Sequence, residues 1–224
     1  MKAVKYWLYG FPLTLIILAM AFKVFQPIQV LPRIRLAPAF SLVDQQGQRL
    51  TSEDLRGKVT LYTFTYTRCA PPCRNPDETL LEIQRRLEAE PLSPQIQLQF
   101  VSVSFDPERD SPQILKAYQE RLGANPSLWR FATLSDQGLL KTIIGDGFEV
   151  YYQPLPEGDF DFDPVFILVD GWGIIRGEYR YQTETPLVDR IMRHLHVLEK
   201  EILNSSGVAR MAYEAAHLFL CYAQ

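Results

Sequence analysis

Val59-Thr-Leu-Tyr-Thr-Phe-Thr-Tyr66 runs through Thr67 and Arg68 into Cys69-Ala-Pro-Pro-Cys73, and then through Arg74 into Asn75-Pro-Asp-Glu78. The first eight residues are β-branched or aromatic with one exception, which predicts a core strand. Asn75 suits a helix cap, Pro76 the first helical position and Glu78 the capping-box place, so a helix is predicted to start there. A strand therefore delivers two cysteines to the mouth of a helix. Free N–H groups and the helix dipole favour negative charge at such a place, and Arg68 and Arg74 flank the pair. These influences lower a thiol pKa from its usual value near 8.5 and make thiolate available at neutral pH. Three intervening residues set both sulfurs on one side across about one helical turn, near enough to close a disulfide or grip one ion. Pro71 and Pro72 stiffen the loop. A static disulfide is the plainer reading, but so small a loop stabilises little.

Working outward, Phe40-Ser-Leu-Val-Asp44 followed by Gln-Gln-Gly47 predicts a strand and turn, and Thr51–Leu55 a helical turn ended at Gly57. Ile96–Phe105 is a second core strand, and Ser111-Pro112 opens a helix that Gly123 closes. A strand at 130–134 and a short helix at 137–144 follow. Val165–Val169 and Ile174–Arg180 form a hairpin across Asp170-Gly171, and a helix runs from Pro186 to Leu203. This alternation predicts an α/β fold with a layered sheet.

The N-terminus differs in kind. Tyr6 to Phe22 is an unbroken apolar run between Lys2, Lys5 and Lys23. Seventeen residues just reach across a hydrocarbon core, so residues 1–25 read as a membrane anchor and a transmembrane helix. Ala19-Met20-Ala21 has the form of a signal-peptide processing site, and a buried soluble helix is a third reading. Anchor and signal alike send the rest of the chain to the extracytoplasmic side, where a dithiol can cycle. Residues 26–36, with Pro27 and Pro32, read as an extended linker, 37–203 as the folded domain, and 204–224 as a C-terminal helical extension. Arg210, Glu214 and His217 argue against a second span in that extension.

Composition narrows the function. Hydrophobic residues are 47% and charged residues 22% of 224, a globular balance, and the net charge of −3 with no basic run gives no support to a nucleic-acid partner. Three cysteines are too few for a disulfide scaffold and offer zinc no second pair. Two thiolates satisfy Cu(I), whereas Cu(II) prefers an added imidazole.

The segment Phe64-Thr-Tyr-Thr-Arg-Cys-Ala-Pro-Pro-Cys73 resembles the strand and Tyr-Thr-x-Cys-x₃-Cys motif of the Sco/SenC family. Val103-Ser-Phe-Asp-Pro-Glu-Arg-Asp-Ser-Pro112 is similar to that family's Ser-x-Asp-Pro-x-Arg-Asp-Thr-Pro segment, and Pro38-Ala-Phe-Ser-Leu-x-Asp44 also agrees. The resemblance covers about residues 37–200. It implies a thioredoxin-like central mixed sheet flanked by helices, held to a membrane and facing outward. It implies copper delivery to, or thiol–disulfide exchange with, the cytochrome c oxidase subunit carrying the CuA site, or another extracytoplasmic thiol protein. Cys69 and Cys73 are the implied catalytic and metal residues. The family's third copper ligand, a histidine, falls here on Phe162, between Asp161 and Asp163, so copper is expected as Cu(I) rather than Cu(II). His194, His196 and His217 lie on late helices and read as surface residues. Pro164 stands either at the cis-proline position of thioredoxin folds or as an ordinary trans proline opening a strand.

Cys69, the more N-terminal thiol, is expected to be the more exposed and to attack, with Cys73 resolving. The rival reading is a non-enzymatic, membrane-bound assembly factor that uses the fold and the C-terminal helix as a docking surface. A peroxidase-like reducer shares fold and thiol but needs a more apolar, threonine-supported cysteine.

Overall fold

Helix α1 (Lys2–Phe25) opens this computed structural model, which describes residues 2–25, 27–181 and 187–223, and of residues 2–9 the backbone alone. Among the described residues no helix is long and apolar enough to cross a membrane. Gln26, at the head of the expected linker, Pro186, the expected start of the late helix, and the terminal Met1 and Gln224 lie outside the described residues.

The first strands are short. β1 (Arg35–Leu36) falls in a stretch with no strand pattern, and it pairs antiparallel with a later strand. β2 (Ser41–Asp44) and β3 (Arg49–Thr51) form a hairpin turned at Gly47, whose φ of 76° suits glycine. The helical turn after β3 is a 3₁₀ turn over Glu53–Leu55, steadied by Asp54, whose carboxylate accepts from Thr51 N at 2.8 Å.

β4 (Val59–Thr65) is buried along its whole length and leads to α2 (Pro76–Ala89), where Asn75 Oδ1 accepts from Asp77 N. β5 (Leu98–Ser104) lies parallel to β4, as a connection through a helix requires. α3 (Pro112–Leu122) is capped by Ser111 and closed by left-handed Gly123. β6 (Trp129–Thr133) and α4 (Gln137–Lys141) follow, and a wider turn over Thr142–Gly147 extends α4. β7 (Tyr152–Pro154) and β8 (Phe160–Phe162) make a separate two-stranded ribbon. β9 (Val165–Val169) and β10 (Ile174–Arg180) form the expected hairpin, and α5 (Leu187–Leu203) and α6 (Gly207–Leu218) complete the chain.

The eight-stranded sheet runs β1-β10-β9-β4-β5-β6-β2-β3, with β4, β5 and β6 parallel and the remaining pairs antiparallel. It is the mixed sheet of a thioredoxin-like fold. One face carries a core in which Phe148 packs against Tyr62 and Phe64 at ring distances of 5.1 and 5.0 Å. β4 sits between β5 and β9, so its C-terminal end, and with it Cys69, comes from the middle of the sheet.

The described chain forms two compact units. The larger runs from Arg33 to His196 and holds the sheet. The smaller joins the residues up to Pro32 with those from Val197 onward. In it Val30 bridges Tyr222 in parallel, donates from N to Cys221 O at 3.0 Å, and packs with Ala216 and Cys221. Residues expected as a linker and as a terminal extension thus pair with each other.

Candidate dithiol site

The chain leaves β4 through Tyr66 and turns twice before α2. Cys69 N donates to Tyr66 O at 3.1 Å and Cys73 N to Ala70 O at 2.9 Å, so the two cysteines sit on consecutive tight turns ahead of the helix and not within it. The structure brings them together: Cys69 and Cys73 form a disulfide with their Cα atoms 5.3 Å apart. The bond between Pro71 and Pro72 is cis, and Pro164 is an ordinary trans proline leading into β9.

One expectation is reversed. Cys69 is the buried cysteine, the residue being 7% exposed, and Cys73 the half-buried one. Cys69 continues directly from β4 into the core cluster with Tyr66 and Phe105, whereas Cys73 lies a turn further out, next to exposed Pro72 and Arg74.

The loop is held from below by a segment 43 residues further on. Asp110, fully buried, accepts from Thr67 N at 2.9 Å and Thr67 Oγ1 at 2.5 Å, and a third hydrogen bond comes from Ser104 Oγ at 2.5 Å. Asp106 pairs with Arg68 at 3.5 Å and Arg109 at 3.2 Å, and burial raises its pKa against the pull of Arg109. Arg68 also donates to Gly158 O, and Arg74 stacks over the Tyr181 ring at 5.2 Å. The two arginines expected to favour thiolate are thus held by other partners.

Phe162 reaches this site through the β7–β8 ribbon. Phe160 and Phe162 pack on Phe105 at 4.9 and 5.1 Å and on Tyr66 at 5.1 and 6.1 Å, in the cluster that also takes Cys69 and Cys73. An open groove of about 310 Å³ beside it is lined by Arg74, Tyr151, Asp161, Phe162, Asp163, Pro164 and Tyr181. Asp161 accepts from the Tyr151 hydroxyl, and Asp163 is paired with Arg180. Among the described residues no three His, Cys, Asp or Glu side chains gather where they could hold a metal ion.

The histidines stand elsewhere. His194, expected at the surface, is buried, with Nδ1 2.9 Å from the Tyr179 hydroxyl, because α5 turns that side toward β10. His196 is half-buried on the same helix, and His217 pairs with Glu201 at 2.9 Å. Sequence reasoning missed Asp77, the second residue of α2, which is fully buried with Oδ1 accepting from Ser102 Oγ at 2.5 Å. Burial lifts its pKa to about 7 against the opposing hydrogen bond of Ser102. The alternation of α2 placed Leu80 and Ile83 inward, and Asp77 lies three residues before Leu80 on that same face.

Residues 29–196 match the profile of the SCO1/SenC family. The chain belongs to the SCO1/SenC family. It is 30% identical over 162 residues to the mitochondrial SCO2 homolog of the mouse, a match covering 70% of this chain and 61% of that protein. The chain thus spans about three-fifths of the length of that relative. Among solved structures, BsSco, a member of the Sco family of cytochrome c oxidase assembly proteins in which a disulfide switch was identified, superposes with a TM-score of 0.63 at 26% identity, over 76% of this chain and 96% of its own. Yeast Sco1 with copper bound superposes at 0.58 and 26% identity, over 80% and 98%. The SCO1/SenC match stops at the residue where the larger unit ends, so α6 and the last turns of α5 lie beyond it.

Proposed function

We propose that this SCO1/SenC protein is membrane-anchored, faces the extracytoplasmic side, and uses Cys69 and Cys73 to carry Cu(I) and exchange disulfides in the assembly of the CuA site of cytochrome c oxidase. The observation that carries the reading is the disulfide itself, closed on an outer loop with Cys73 half open to solvent. The copper-bound yeast relative and BsSco support the cargo and the pathway.

A client thiolate attacks Cys73 Sγ, the reachable sulfur, and the bond to Cys69 breaks with its electron pair leaving on Cys69. The client's second thiolate then displaces Cys73. The client is left oxidised and the pair reduced, and the reverse sequence reduces a client disulfide. Copper is cargo, and only the reduced pair can take it. Two thiolates with a phenylalanine in the third position fit two-coordinate Cu(I) and leave Cu(II) without its imidazole.

The anchor reading draws support from the apolar run of residues 6–22 and from the helix that contains it, whose Leu15, Ile16, Ile17 and Leu18 are all exposed. Alkaline extraction of membranes should leave the full chain in the pellet.

Titration of the reduced chain with each copper ion tests the site. Cu(I) should bind one equivalent and be lost in both Cys69→Ser and Cys73→Ser. Strong Cu(II) binding with thiolate charge-transfer absorption would overturn the two-coordinate reading. Oxidase assembly undiminished in both serine variants would hand the function to the docking-only factor.

A further inference from the structure

The segment beyond the family match contains a helix with more apolar surface than its packing uses. In α6, Ala216 is buried and Tyr213 packs against the same small core. A different side of the helix carries Val208, Met211 and Leu218, which are 87, 75 and 77% exposed. With Ala215 these follow the spacing i, i+3, i+7, i+10, which confines them to an arc of about 80°. Arg210 and Glu214 stand together between that stripe and the packed side. Leu220, also exposed, stands two residues past the helix end in a left-handed turn.

The place of that end argues for its occupant. Lys23 Nζ, in the last turn of α1, donates to Leu220 O at 2.8 Å, and the Phe22 and Phe219 rings lie 5.8 Å apart. Val30 holds Cys221 and Tyr222 by the bridge described above. The C-terminal end of α6 is therefore fastened where α1 ends, and α1 finishes in Val24 and Phe25, both largely exposed apolar residues.

We propose that α6 lies in the headgroup region of a lipid bilayer with Val208, Met211, Ala215, Leu218 and Leu220 facing the acyl chains, so that the chain holds the membrane by an inserted and a surface helix together. This rests on the reading of α1 as a membrane anchor. An amphipathic helix with an apolar stripe beside a charged side is the form that settles at such an interface.

The test uses the full chain in phosphatidylcholine–phosphatidylglycerol vesicles, with a nitrobenzoxadiazole label on M211C, V208C, R210C or L15C and doxyl-labelled lipid as quencher. The parent chain should take no label, since Cys69 and Cys73 are bonded and Cys221 is buried. L15C, M211C and V208C should lose most of their emission, and R210C should keep most of its own. Quenching at L15C with none at M211C and V208C overturns the surface helix and leaves the anchor standing. No quenching at L15C removes the anchor and this inference with it. Copy-to-copy cross-linking of unquenched M211C would give the stripe to a second copy and overturn the proposal.

Discussion

Asp110 holds Thr67. Its buried carboxylate takes both the backbone N–H and the hydroxyl of that residue, two positions before Cys69. The Ser-Phe-Asp-Pro-Glu-Arg-Asp segment and the cysteine loop, separate motifs in the chain, are thus one device. The acidic residues of the first fix the path of the second.

Asp110→Asn should therefore loosen the loop before it harms the sheet. A buried donor left without its charged acceptor costs about 1–3 kcal/mol. The urea midpoint should fall by that free energy divided by the m-value, and the Cys69–Cys73 bond should be reduced faster by dithiothreitol. An unchanged reduction rate would mean that Asp110 supports only the fold.

Once the bond is reduced, the thiols should differ in reach. Cys73 should react with iodoacetamide before Cys69, since Cys69 is buried within the core cluster and Cys73 is half-buried against it. Mass mapping after brief alkylation reads the order. Preferential modification of Cys69 would show that the loop rearranges on reduction.

Asp77 makes stability depend on pH in an unusual direction for a carboxylate. Burial raises its pKa from 3.8 to about 7, so the folded chain keeps a proton that the unfolded chain releases. The contribution is whole below about pH 4 and is lost as pH rises through 7, at about 1.4 kcal/mol for each tenfold change in proton affinity. Asp77→Asn keeps the bond from Ser102 and should flatten this decline. Denaturation midpoints between pH 4 and 8 check it, and parallel curves would show that Asp77 is ionised throughout.

The strand, the cysteines and the capped helix were legible because each rests on local chemistry: β-branched residues, a proline at the first helical position, an asparagine cap. The hold of Asp110 on Thr67 was not, since nothing in either stretch names a partner so far along the chain. The β7–β8 ribbon was also hidden. Its strands are three residues each, the first ending in Pro154 and the turn between them holding Pro156 and Gly158, too short for a period of two to show. Buried His194 meets Tyr179 across from it, and the cluster that takes Cys69 and Cys73 also takes Phe160 and Phe162 of β8. Such properties belong to pairs, and a sequence read one stretch at a time contains only halves.

Phe162 offers a direct trial of the copper assignment. Phe162→His should raise the affinity of the reduced chain for Cu(II) by about tenfold or more, equivalent to about 1.4 kcal/mol, and bring in charge-transfer absorption. Titration in the visible range reads both. No gain would place the third-ligand position elsewhere.

Asp170 and Arg176 form a buried ion pair at 2.9 Å under the β9–β10 turn, whose Trp172 and Ile174 N–H groups also bond Asp170. Asp170→Ala should cost about 1–3 kcal/mol, because it takes the acceptor from the Trp172 and Ile174 N–H groups and the 2.9 Å carboxylate from Arg176. The double change with Arg176→Met should recover part of that loss in thermal unfolding. Equal losses in the single and double variants would mean that the turn, not the charge, sets the cost.

The bridge between Val30 and Tyr222 ties the first folded residues after α1 to the last ones of the chain. Clipping a few amino acids from the tail would strip the stretch that emerges from α1 of its backbone partner. A cut between Leu218 and Cys221 would thereby unfasten the stretch that follows α1.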